Sequence, residues 1–299
     1  MFANRQWFNF FIRRCEELAK RSNDWSKQKL DNFLKDGRGK GEGKDYKPWL
    51  TIQDFPSMGR CSRLLGWKSK RVHQLFSDIE TRFFYLMEWE DSVVDIRECF
   101  PLLDLNEELS DTDDLRLDIF KDKESGEPYV LTTSFLITLN ENGKLRYVAR
   151  SVKLSSELDK KVSIEKYEIL RRYWKIKGID WGIVTQNEIS KTKAKNIEWI
   201  HSSLYSTEQR GFLDTEIVEL EELLIDSIFK SDQAIRLIMI SFDKDYNLEN
   251  GSALFLFKHM IATKKIAVNM DKEIDINAIG KDVILEIRNR LERYLSVNS

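Results

Sequence analysis

At 299 residues and 41% hydrophobic content, the chain is long enough for two ordinary domains, each able to bury a core. Its net charge of −2 excludes a protein that coats nucleic acid indiscriminately, and the three cysteines, Cys15, Cys61 and Cys99, match no zinc spacing and fit a reducing compartment. No apolar run approaches the roughly 20 residues that cross a bilayer, and the aromatic start Trp7-Phe8-Asn9-Phe10-Phe11 is broken by Arg13 and Arg14 with no cleavage pattern behind it, so neither a membrane span nor a signal peptide is expected.

Residues 3–33 are expected to form a helix, since Trp7, Phe8, Phe11, Cys15 and Leu18 recur at three- and four-residue steps, and residues 1–34 are read as an amino-terminal helical extension. Charge is unevenly placed. Residues 1–73 hold 17 Lys and Arg against 8 Asp and Glu, a balance of +9, so the remaining 226 residues carry −11. That asymmetry suits either a basic arm that faces DNA or a solvated basic surface. The run Lys35-Asp36-Gly37-Arg38-Gly39-Lys40-Gly41-Glu42-Gly43-Lys44 cannot continue a helix, because four glycines alternate with mostly charged residues. An exposed, adaptable, cationic loop of this kind lays amides, Arg38, Lys40 and Lys44 along a phosphate backbone, or else serves as a linker.

Asp78 to Trp89 has a helical pattern, with Ile79, Phe83, Leu86 and Met87 on one face and Glu80 beside it. Val93 to Arg97 reads as a strand that ends by Pro101. Two further strands, Tyr129–Leu139 and Lys144–Leu154, flank Asn142-Gly143, a strong hairpin signal. A helix over about 155–175, a stop at Gly178 and a strand at 180–185 follow. Helix, strand, hairpin, helix and strand in this order predict a mixed-sheet α/β domain over 35–187. Beyond it, helices are expected at about 196–204 and 214–230, strand or buried helix at 235–242, helix at 251–263, strand at 266–270 and helix at 279–295, an arrangement that suits a mostly helical, winged-helix-like domain over 188–299.

If Asn142 and Gly143 are the turn, Glu141 faces Lys144, Ser134 faces Ser151, and Lys153 lies diagonal to Ser134. An acid on one strand beside acid-x-Lys on the next, with a glutamate from a preceding helix, is the geometry of many metal-dependent nucleases. Glu80 and Lys153 fit that plan, whereas Ser134 and Ser151 stand where acidic or amide groups are expected. A neutral hydroxyl carries no charge to offset a divalent cation such as Mg²⁺. On the residues alone, Glu80 and Lys153 are equally read as a structural ion pair.

Whole stretches are similar to the TnsA subunit of heteromeric transposases, over most of residues 35–200. These include residues 37–51, Arg71-Val72-His73, Ser77-Asp78-Ile79-Glu80, Glu88-Trp89-Glu90, residues 94–102, Thr133-Ser134-Phe135-Leu136, Ser151-Val152-Lys153, Arg171-Arg172-Tyr173-Trp174 and Asn196-Ile197-Glu198-Trp199. The resemblance implies a restriction-endonuclease-like domain followed by a winged-helix-like domain that meets a TnsC-like AAA+ ATPase, in a prokaryotic cytoplasm. It implies nicking of the 5′ ends of transposon-end DNA while a TnsB-like transposase acts on the 3′ ends. Glu80 falls on the family's metal-site glutamate, Lys153 on its catalytic lysine, and Ser134 on its metal-binding aspartate. Three accounts of Ser134 are open: an engineered inactive copy, a degenerate subunit kept for DNA binding and assembly, or a site rescued by another acid, for which Asp95 and Glu98 are the nearest candidates. His73, beside Arg71, is read as a structural residue or a DNA contact. A stand-alone restriction or repair nuclease is a third functional class.

Overall fold

The computed structural model describes residues 25–54, 60–109, 112–205 and 212–288. The chain divides into two compact units, one through Ile189 and one from Ser190. Each is built around its own apolar core.

The first unit opens with Trp25 and helix α1 (Lys27–Lys35), which starts where the Ser26 hydroxyl accepts the Lys29 amide. A helix continuous over 3–33 is therefore interrupted at 25–26, and its residues 3–24 lie outside the described residues. The described end of the supposed extension is no separate piece. Trp25 and Phe33 are buried against Trp49 and Cys99, in edge-on aromatic contacts of 5.3–6.2 Å between ring centres.

Two short strands, β1 (Ser62–Leu65) and β2 (Val72–Leu75), pair antiparallel and lead into helix α2 (Asp78–Trp89). The main sheet then forms from β3 (Val93–Pro101), β4 (Thr132–Glu141), β5 (Lys144–Val152) and β6 (Asp180–Val184), in that spatial order. β3, β4 and β5 are antiparallel neighbours, and β6 joins β5 in parallel after helix α3 (Lys161–Ile176). Asn142 and Gly143 both have positive φ, as a two-residue turn of right twist demands, and the register Glu141↔Lys144 to Phe135↔Arg150 is the one the turn predicts. Phe135 meets Phe83 of α2, while Leu136 and Ala149 pack with Tyr167, Leu170 and Trp174 of α3. Adjacent strand residues point to opposite faces, so the two helices cover the sheet from opposite sides.

The second unit packs helices α4 (Lys191–His201), α5 (Asp214–Phe229), α6 (Ile235–Asp245) and α7 (Ser252–Ala262), with α7 the most deeply buried. Residues 235–242 are thus helix. β7 (Ile266–Val268) pairs with β8 (Ile284–Ile287), which follows the single-turn helix α8 (Gly280–Val283), so the helix expected over 279–295 is a strand at 284–287, and residues 289–295 lie outside the described residues. Helices followed by a two-stranded ribbon make a winged-helix-like unit.

Candidate active site

Glu80 is placed by the start of α2. Ser77 caps the helix by accepting the Glu80 amide at 3.3 Å, and the Glu80 carboxylate turns back so that Oε2 accepts the Phe76 amide at 2.9 Å. At this Ser-x-x-Glu sequence the serine satisfies one of the amides that a helix start leaves unpaired, and the glutamate takes the amide of the residue before the cap. This arrangement also fixes the side chain, which is 10% exposed, and leaves Oε1 facing Lys153 of the sheet.

Lys153 approaches from the end of β5. The strand pair β4–β5 closes at Phe135↔Arg150; beyond it the Val152 amide donates to the Ser134 hydroxyl at 3.0 Å, and the Lys153 amide donates to Val184 of β6 at 3.0 Å. The ladder therefore parts where Ser134 and Lys153 stand. In that opening Lys153 Nζ lies 3.7 Å from Glu80 Oε1. Glu80, Ser134 and Lys153 line one pocket of about 220 Å³, together with Cys99, Thr132 and Lys166. Ser151 is no part of it: its hydroxyl is buried and takes the indole N–H of Trp181 at 3.2 Å.

The second carboxylate on the pocket wall, Glu98, is fully committed elsewhere. Arg71 donates to both its oxygens at 2.8 and 2.5 Å, His73 Nδ1 lies 2.8 Å from it, and the Gln74 amide donates at 3.0 Å. Burial alone would push its carboxyl up, but His73 and Arg71 outweigh that and hold it down at about 2. Asp95 lies outside the pocket, accepting the Gly43 and Ile96 amides. Neither acid is free to take the place of an aspartate at 134. Among the described residues no group of three His, Cys, Asp or Glu is gathered as a metal ion requires. One capped carboxylate and one hydroxyl beside two lysine ammoniums do not fit a divalent cation.

The residues expected to meet DNA separate into two classes. Lys40 and Lys44 are exposed on the glycine-rich loop. Arg38 is engaged within the fold: its guanidinium is paired with Asp54 at 2.6 Å, donates to the Trp49 carbonyl and stacks 3.7 Å over the Phe33 ring. His73 is 0% exposed and Arg71 9%, so both serve the buried Glu98 network and are withdrawn from DNA. The loop itself is built rather than adaptable. Gly39 and Lys40 exchange backbone hydrogen bonds with Lys47, and a side chain at Gly39 would strike Pro101, since a Cβ there would sit 2.3 Å from the ring.

Two pocket residues escaped the sequence reading. Cys99 adopts φ of 48° within β3, unusual for a residue with a side chain, and burial pushes its thiol up to about 12, so it is a neutral wall group. Lys166 reaches the pocket from α3; only the packing of that helix reveals it, although its place three residues before Ile169 and four before Leu170, both of the core cluster, marks the flank of the buried face.

Comparison with known proteins agrees with this architecture. The family described as "TnsA-like endonuclease N terminal" matches residues 90–186, a span that holds Ser134, Lys153 and Lys166, and the one described as "TnsA endonuclease C terminal" matches residues 188–270. The Escherichia coli protein named "Transposon Tn7 transposition protein TnsA" is 36% identical over 282 residues, which cover 93% of this chain and 100% of the relative.

Proposed function

The chain belongs to the TnsA endonuclease family, and we propose that it is the endonuclease subunit of a Tn7-like transposase whose cleavage site Ser134 leaves one carboxylate short. Its partners in this reading are transposon-end DNA, a TnsB-like transposase and a TnsC-like AAA+ ATPase, and it works in a prokaryotic cytoplasm. No helix among the described residues is long and apolar enough to cross a membrane. The observation that carries the reading is the meeting of Glu80 from a helix cap and Lys153 from a strand end in one pocket, with Ser134 on its wall.

Endonucleases of this family imply a divalent metal, and Mg²⁺ is the ion we propose for a site that carries the aspartate at 134, since the pocket residues present here do not fit one. Such an ion supplies charge for the attacking and leaving oxygens of a phosphodiester. This chain's own residues supply less. Glu80 is a fixed acceptor, Lys153 orients a phosphate or a water, and the Ser134 hydroxyl is engaged with the Val152 amide. The subunit as written therefore holds DNA in the nuclease position and contributes assembly.

The test is 5′-end nicking of a labelled transposon end with cognate partners and Mg²⁺ present, comparing the parent with Ser134→Asp. The substituted protein is expected to nick and the parent to be silent. Nicking by the parent would show that the serine is no defect; silence from Ser134→Asp, in complexes that assemble normally, would favour the adaptor reading, a subunit that binds DNA and partners and never cuts.

A further inference from the structure

Lys166 is the feature of the pocket that the nuclease plan leaves unused. It projects from α3, is partly buried, and lines the same cavity as Glu80, Ser134 and Lys153. Among the described residues no ion pair or hydrogen bond holds its ammonium, in contrast to Lys153, which is 3.7 Å from Glu80. The Glu98 charge is answered by Arg71 and His73 behind the wall, and Glu80 and Lys153 answer each other. One uncompensated positive charge remains in the cavity.

A pocket with that balance repels a dication and attracts a monoanion. A phosphodiester of a DNA backbone carries one negative charge, which would bring the cavity to neutrality, whereas a terminal phosphate dianion would overshoot. Burial, and after it the like charge of Lys153, push the Lys166 ammonium down to about 8, a strain that an anion between the two lysines relieves.

We propose that this pocket takes a backbone phosphodiester directly, without a metal ion, and that Lys166 is the residue that binds its non-bridging oxygen. The inference rests on the reading of the chain as a DNA-handling nuclease subunit and adds to it a binding residue and a metal-independent mode of grip. Ser134 belongs to that mode, because an aspartate at 134 would cancel the positive charge.

Binding of a fluorescent transposon-end duplex to the full chain in EDTA, read by anisotropy across a salt series, tests it. Lys166→Gln should weaken binding by about tenfold and lower the slope of log affinity against log salt by about one, the signature of one lost phosphate contact. Lys166→Arg should keep both. Ser134→Asp in EDTA should weaken binding similarly, because a carboxylate replaces the hydroxyl beside the phosphate. The outcome that overturns the proposal is parental affinity and slope in Lys166→Gln with a native circular dichroism spectrum. If that variant does not fold, undiminished metal-free binding by Ser134→Asp overturns it instead. Neither readout depends on nicking, so a failure here leaves the cleavage reading standing, and a failure of cleavage leaves this one standing.

Discussion

The Lys153 ammonium lies 3.7 Å from Glu80 Oε1, close enough to pair and too far for a strong hydrogen bond. The lysine side chain is 41% exposed while the glutamate is 10% exposed and already held by the helix cap, so solvent weakens the attraction from one side. A pair of this kind contributes well under about 1 kcal/mol to folding. Lys153→Ala should leave the urea midpoint of the first unit almost unmoved. In a Ser134→Asp background the same substitution should abolish the gained nicking and leave assembly on DNA intact. A large loss of stability would identify the lysine as structural.

Glu98 behaves differently, because its charge is buried and answered on several sides. Arg71→Met leaves the carboxylate with His73 and one backbone amide, and breaking a buried pair in this way costs about 3–5 kcal/mol. Equilibrium urea denaturation measures it. The loss should exceed that of Lys153→Ala several-fold.

The same carboxyl sets an acid limit. Its acidity is held at about 2 in the fold against 4.5 ordinarily, so its contribution is complete above about 4.5 and disappears as pH falls toward 2. Thermal melts from pH 6 to pH 2 should show the parent losing stability over that window. Glu98→Gln should start less stable and lose less across it; an equal acid slope in the two proteins would place the sensitivity in other carboxylates.

Much of this site was legible because local rules fixed it. Asn142-Gly143 admits one turn, the turn sets the register, and the register brings Ser134 and Lys153 to the same sheet end. Ser77-x-x-Glu80 is a helix-start pattern, and it positions the glutamate whatever the chemistry. What sequence could not supply was depth. Arg71 and Arg38 read as DNA-facing cations, yet each is pulled inward by a carboxylate distant in sequence, Glu98 for the first and Asp54 for the second, and His73, read as structural or as a DNA contact, is buried with Arg71 on Glu98. Lys166 was invisible for the converse reason: its alignment with the pocket depends on how α3 packs against the sheet. Residues 284–287 follow the same logic, since pairing with β7 overrides their helical pattern.

The second unit has its own buried charge centre. Glu221 of α5 accepts from His259 Nδ1 at 2.6 Å and from Lys265 at 3.3 Å, with the glutamate 4% exposed. Glu221→Ala strands both partners and should cost about 3–5 kcal/mol, seen as an earlier loss of helical signal from this unit, whereas Glu221→Leu, similar in volume, leaves less empty space and should cost less. Equal losses would show that packing around α7 adds nothing to the charge effect.

The basic loop after α1 divides into a scaffold and a contact surface, and the two can be told apart by salt. Lys40 and Lys44 are exposed, and a pair of such lysines on a phosphate backbone adds about two to the salt slope of binding, because each neutralised phosphate releases counterions. The double substitution Lys40→Ala, Lys44→Ala should lower affinity for any duplex sequence and flatten the slope by about that amount, with thermal stability unchanged. Arg38→Ala should do the reverse. It removes two hydrogen bonds to Asp54, one to Trp49 and the stacking on Phe33, so it should destabilise the first unit and lower DNA affinity only through the misplaced loop, with no change in slope for the fraction that remains folded. A shallower slope in Arg38→Ala at full stability would return the guanidinium to the DNA interface, and an unchanged slope in the double lysine variant would remove the loop from it.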